Sequence, residues 1–164
     1  MSEVHVKGLA QLQTFLDQLP AKLERNVMRG ALRAGMNEVK PVAQQMVHSV
    51  SGQLAAGLKI GTRARGGVVT ASLKATGKHR SIAHLVEYGT KAHTITTKGM
   101  KALSFNGLLF QSVRHPGAEK RPFMRPALDQ QAQAAVGAAA EYMKDRLATK
   151  HGLDTSAVLL EGDE

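Results

Sequence analysis

The sequence predicts an α+β domain, because helical periodicity is confined to its two ends while short β-branched segments fill the middle, residues 54–115. The helices lie outside the strand block rather than alternating with it. The expected architecture is a small, mainly antiparallel sheet packed against a long kinked N-terminal helix and a C-terminal helix. At 164 residues with 43% hydrophobic side chains, the chain can bury one core. Residues 1–150 are expected to form a single domain, with 151–164 a flexible or docking tail.

Leu9, Leu12, Leu16 and Leu19 recur at helical spacing, so 8–19 reads as a short amphipathic helix ending before Pro20. A longer helix follows, with an apolar stripe of Leu23, Val27, Ala31, Ala34, Val42 and Met46 and most of its basic residues off that stripe. Pro41 lies inside it, where its ring opposes the carbonyl of Asn37, so a kink or break is expected. Ser49–Gly52 ends the helix.

Leu58–Thr62 and Val68–Leu73 then flank a glycine turn as a hairpin. Ile82–Tyr88 fits either a strand edge or a short helix, stopped by Gly89. His93–Thr97 and Leu103–Phe105 read as strands around a basic loop holding Lys98 and Lys101, and Leu108–Val113 as a further strand. Pro126 suits the first turn of a last helix, where a missing N–H costs nothing. Leu128, Ala132, Ala135, Ala139, Tyr142, Met143 and Leu147 supply its alanine-rich stripe. The expected core includes Leu23, Val27, Leu85, Phe123, Leu128 and Tyr142.

Composition excludes several kinds of function. With no cysteine there is no disulfide scaffold, thiolate nucleophile or cysteine-ligated zinc. The N-terminal residues do not resemble a signal peptide, and no apolar stretch approaches the roughly 20 residues that span a bilayer. Residence in the cytoplasm of the producing cell, or export inside a larger particle, is therefore expected.

The net charge of +9 is concentrated: Lys59–Arg125 holds thirteen Lys/Arg and two acids, Glu87 and Glu119. A solvated face, a nucleic-acid surface and a surface for an acidic protein all fit that charge.

Catalytic patterns are missing. His79, His84, His93 and His115 form no His-Glu-x-x-His unit, and Ser104 and Ser112 lack elbow glycines. Two acids in the central half leave little for a paired-carboxylate mechanism. His84 and Glu87, three residues apart, read as a solvated or structural pair. No cofactor or metal is expected. Sequence-specific nucleic-acid readout lacks stacking aromatics, and a helix-turn-helix forced onto 21–48 explains no more than core packing does.

Three local features have physical content. Gly89, after Glu87-Tyr88, marks a tight turn or close backbone approach. His115-Pro116-Gly117 is a turn signal. Arg121-Pro122-Phe123-Met124-Arg125-Pro126-Ala127-Leu128 combines two prolines, an apolar anchor and two guanidiniums. Phe123 is expected to plug the core and seat the last helix, and Arg121 and Arg125 could meet acidic groups across an interface.

These segments carry a resemblance. Gly8-Leu9-Ala10-Gln11-Leu12, Leu19-Pro20, Ser51-Gly52-Gln53-Leu54, Leu85-Val86-Glu87-Tyr88-Gly89-Thr90, His115-Pro116-Gly117 and Arg121–Leu128 occur in order and spacing over roughly 8–145. Together they resemble the phage tail-component family typified by the gene product 10 protein of a lambda-like coliphage. One departure is His48-Ser49-Val50, where relatives commonly have a proline before the Ser/Thr-Gly unit.

The resemblance implies a non-enzymatic virion component of the phage neck or head-proximal tail end, acting in head–tail joining or tail completion. It implies a ring of copies, plausibly hexameric, around the DNA channel, assembled in the host cytoplasm. Connector or neck proteins and tail-tube or terminator proteins would be its partners, with non-specific contact to DNA in transit and no membrane. Glu87, Tyr88, Gly89, His115, Arg121, Phe123, Arg125 and Pro126 would be interface or fold-keeping positions. A basic outer or axial interface is favoured over a fully basic lumen, to which DNA would stick. The alternative reading is a basic DNA-binding accessory protein without enzymatic activity.

Overall fold

A computed structural model describes residues 9–17, 21–47, 52–97 and 102–152 of the chain. The expected helix end before Pro20, the Ser49–Ser51 part of the helix stop, the Lys98–Lys101 loop and the tail beyond Gly152 lie outside the described residues.

The architecture is α+β, with small antiparallel sheets packed against a long N-terminal helix and a C-terminal helix. Helices α1 (Leu9–Asp17), α2 (Ala21–Met46) and α3 (Gln53–Ala56) precede strands β1 (Leu58–Arg65) and β2 (Val68–Ala75). Helix α4 (Arg80–Tyr88) leads to β3 (His93–Thr96), β4 (Leu103–Phe105), β5 (Leu108–Phe110) and β6 (Ser112–His115). Helix α5 (Met124–His151) follows them. The ambiguous 82–88 segment is thus helical, and the Leu108–Val113 segment divides at Gln111 into two strands.

Helices α2 and α5 form the scaffold. Along α2 the buried positions recur every fourth residue, Val27, Ala31, Gly35, Val39 and Ala43, which is the ridge along which helices interdigitate. Val27 and Ala31 cluster with Leu16, Ala140, Met143 and Leu147. Val39 and Ala43 cluster with Leu54, Leu58, Ala83, Phe123 and Ala127. The order along α5 is reversed, so the two helices run antiparallel. Between the clusters Gly35 lies so close to the Ala135 carbonyl that a β-carbon there would overlap it.

Helix α2 continues through Pro41 to Met46 rather than breaking. Asn37 and Pro41 are both exposed, so the bond that proline removes is lost on the solvent side.

The β1–β2 hairpin pairs Leu58 with Ala75 through Arg65 with Val68. Its turn residues, Gly66 and Gly67, have φ of 57° and 78°, suited to a two-residue loop that follows strand twist. Leu58, Ile60, Thr62 and Ala64 alternate with exposed Lys59, Arg63 and Arg65, so one face packs on α2 and the other is basic. Two further ladders, β3–β6 and β4–β5, form separate two-stranded sheets. The strand block is three short ladders rather than one sheet.

Three expected core residues are not in the core: Leu23, Leu85 and Leu128 are 37%, 36% and 48% exposed. On α4 the buried positions are Ala83 and Glu87, one turn apart, and Leu85 points away from both. On α5 the inward position is Ala127, and Leu128 is rotated off it by one residue. Leu23 sits on the first turn of α2, and nothing in the structure explains its exposure. Val27 and Phe123 are buried, and Tyr142 packs partly buried against the first cluster.

Candidate functional site

The two most distinctive segments of the sequence, 86–90 and 121–128, meet in space. Helix α5 begins without a capping side chain of its own. Its free backbone donors point instead at α4. Glu87 Oε2 accepts the N–H groups of Phe123 at 2.8 Å and Met124 at 3.0 Å, and Oε1 accepts that of Arg125 at 3.3 Å. Pro126 has no N–H, and Ala127 donates to the Phe123 carbonyl at 3.3 Å, opening the helical ladder. One carboxylate therefore satisfies the donors that a helix start leaves unpaired, and its negative charge faces the positive end of the α5 dipole.

The strand after α4 locks to the same segment. Arg121 N–H donates to the Val86 carbonyl at 2.8 Å. Thr90 and Ala118 exchange backbone bonds of 2.9 and 3.1 Å, and Thr90 Oγ1 also accepts from Ala118 N–H at 2.8 Å. Gly89 stands between them with φ 70° and ψ −177°, a conformation nearly restricted to glycine. A β-carbon on it would come within 2.7 Å of the Ala118 carbonyl oxygen.

With its acid turned inward, α4 shows solvent an apolar face. Ile82, Leu85 and Tyr88 are exposed by 40%, 36% and 79%. This reverses the usual arrangement of a surface helix. A shallow depression beside Ile82 and Leu85 is bordered by Val86, Ala118, Glu119 and Arg121. On the other side, Tyr88 and Leu128 border a groove of about 700 Å³ between α2, β2, α4 and the start of α5.

Beyond the Thr90–Ala118 clasp the chain forms a ribbon. Ladder β3–β6 pairs His93 with His115 and Ile95 with Val113, and β4–β5 closes at Asn106-Gly107. The His93 and His115 rings lie 5.1 Å apart at the base, where His115 Nδ1 accepts the Gly117 N–H at 3.0 Å. Every residue of β3 and β5 is exposed, including Leu108 at 63% and Leu109 at 72%. Two isolated strands have little stability of their own in water, so such a ribbon gains by docking.

The candidate positions therefore divide. Glu87, Gly89 and Phe123 face inward and hold α4 against α5, with Pro126 half-buried beside them. Tyr88, Arg121 and Arg125 are exposed, and His115 sits half-buried at the ribbon base. His84 is exposed, and both Glu87 carboxylate oxygens are taken by the start of α5 rather than by His84. Sequence reasoning missed Ile82 as a surface residue and missed the Asn106-Gly107 turn, although that dipeptide is itself a strong hairpin signal.

Among the described residues no group of three or more His, Asp or Glu side chains could hold a metal ion. No described helix is long and apolar enough to cross a membrane. The basic residues Lys59, Arg63, Arg65 and Lys74 share the outer face of the β1–β2 hairpin, with Lys59 directly opposite Lys74.

What fold and site define is an α+β domain with an internal clamp and exposed apolar surfaces suited to contacts between proteins. Residues 10–89 match the family model described as Bacteriophage HK97-gp10, putative tail-component. The match spans α1 to the Glu87-Tyr88-Gly89 segment and stops short of the Arg121–Leu128 segment that α4 grips. It supports a general structural role in phage tail morphogenesis. No curated protein and no solved structure matches the chain.

Proposed function

We propose that this chain is a non-enzymatic structural component of a tailed phage or prophage, placed in the virion at the neck or head-proximal tail end. There it acts in head–tail joining or tail completion as a ring of copies. The observation that carries the reading, beside the match over 10–89, is the apolar outward face of α4: Ile82, Leu85 and Tyr88. Exposed apolar groups adjoining polar ones mark protein contacts more often than solvated surface. The ribbon with Leu108, Leu109 and Phe110 at its end offers a second surface on the same molecule. Two different patches on each copy make a heterologous contact, which closes into a ring when the rotation permits.

Connector or neck proteins and tail-tube or terminator proteins are the proposed neighbours, and the basic hairpin face suits acidic surfaces on them or DNA in transit. Electron microscopy of particles made without this protein tests the reading. Separate filled heads and tails, or tails with faulty ends, are expected. Normal infectious particles would overturn it.

A further inference from the structure

The outer face of the β1–β2 hairpin carries Lys59, Arg63 and Arg65 on one strand and Lys74 on the other, all exposed. Gly61, Val68, Thr70 and Ser72 complete that face, which holds no acid. Among the described residues no carboxylate pairs with any of these cations. Lys59 lies directly opposite Lys74, and like charges so placed destabilise a ladder. The fold does not call for them, since the hairpin packs on α2 through its other face, Leu58, Ile60 and Leu73 among them. An anion held along the outer face would remove the repulsion.

The composition of the face selects the anion. A protein interface is organised around a desolvated core, often aromatic, from which lysine is depleted. Here the single large apolar side chain is Val68, beside the turn. Single-stranded nucleic acid is held by stacking its bases on aromatic side chains, and this face has none. Lysine, arginine, serine and threonine are the side chains that bond the phosphates of a duplex. From Lys59 to Arg65 the strand runs six residues, about 20 Å. At about 3.4 Å of rise per nucleotide, that row lies alongside about six nucleotides of one DNA strand.

We infer that the outer face of the β1–β2 hairpin binds the phosphate backbone of duplex DNA without regard to sequence, through Lys59, Arg63, Arg65 and Lys74. The inference narrows the reading proposed above, which left this face to acidic proteins or DNA. It rests on the phage role for the presence of DNA and not on closure of a ring.

The test titrates full-length protein into a fluorescently labelled duplex of mixed sequence and reads anisotropy at several salt concentrations. Four phosphate contacts predict that log Kd rises with log salt with a slope of about 3.6, a loss of about 150-fold in affinity between about 50 and 200 mM. Arg63→Gln with Lys74→Gln should halve that slope and weaken binding at least about tenfold at low salt. Arg25→Gln with Arg29→Gln removes the same charge from exposed positions on α2 and should change affinity by no more than about twofold. The melting temperature of the hairpin variant should hold or rise, because the Lys59–Lys74 repulsion is gone; lost binding is then not lost folding.

Equal losses from the two pairs of substitutions would mean that net charge alone holds the DNA, and would overturn the inference. So would the absence of saturable binding at low salt. Tighter binding to a single strand of the same length, or displacement of the duplex by poly-glutamate at equal charge, would give the face to another partner and overturn it equally. The ring is judged apart from this: a ring in averaged particle images together with failure here removes the DNA contact alone.

Discussion

The Glu87 carboxylate accepts the backbone N–H of Phe123 at 2.8 Å across 36 residues of sequence, and so fixes where the last helix begins. The same carboxylate takes the next two N–H groups, and Phe123 itself is fully buried. Hydrogen bonds to a charged acceptor are worth about 1.5–3 kcal/mol each, and donors left unpaired in a buried site cost about 1–3 kcal/mol. Glu87→Ala should therefore destabilise the protein by roughly 2–4 kcal/mol. Glu87→Gln, which keeps one acceptor oxygen, should lose about half of that. Chemical denaturation of the two variants beside the parent measures both. A loss under about 0.5 kcal/mol for Glu87→Ala would remove the cap from this account.

Phe123→Ala removes the largest side chain of the second cluster and should cost about 3–5 kcal/mol. A loss below about 1 kcal/mol would mean that the start of α5 is seated by something other than this ring.

Gly89→Ala combines a positive φ with a close approach to the Ala118 carbonyl. It should cost about 1–3 kcal/mol, and native-state hydrogen exchange should quicken at the Thr90 and Ala118 amides, which the clasp protects. Unchanged exchange at those two amides would separate Gly89 from the clasp.

Two helical glycines should respond with opposite sign. At Gly35 a β-carbon would collide with the Ala135 carbonyl, so Gly35→Ala should destabilise by about 1–3 kcal/mol. At Gly137 a β-carbon would meet nothing within 4 Å, so Gly137→Ala should stabilise by about 0.5–1 kcal/mol through helix propensity. Melting temperatures moving in the same direction would contradict the packing of α2 on α5.

These contrasts show what the sequence could and could not reveal. Helices α1, α2 and α5 and the β1–β2 hairpin follow from periodicity and turn chemistry, which are local. Phe123 is legible as a plug because it is the large apolar residue between two prolines and two arginines. Leu85 and Leu128 escape a sequence reading because hydrophobicity alone does not mark the inner face of α4 or α5. On α4 that face carries a carboxylate, and its partners lie on another helix. No local pattern couples Glu87 to residues 123–125, and only the fold brings segments 86–90 and 121–128 together. The reversed amphipathicity of α4 was hidden for the same reason.

Tyr88 is 79% exposed and Ile82 is 40% exposed, so Ile82→Asp with Tyr88→Asp should change stability by no more than about 1 kcal/mol. The double variant should nevertheless fail to enter particles when it replaces the parent during assembly. Full incorporation of a folded double variant would move the interface away from α4.

The central claim is that copies of this chain join into a ring at the end of a phage tail, and the most direct test is an averaged electron-microscopy image of the assembled particle. The account predicts a closed ring, six copies by the family resemblance, in which the outward face of α4 meets an adjacent subunit. A monomer or a twofold dimer bound at that position, or a ring whose subunits leave Ile82, Leu85 and Tyr88 in solvent, would contradict it.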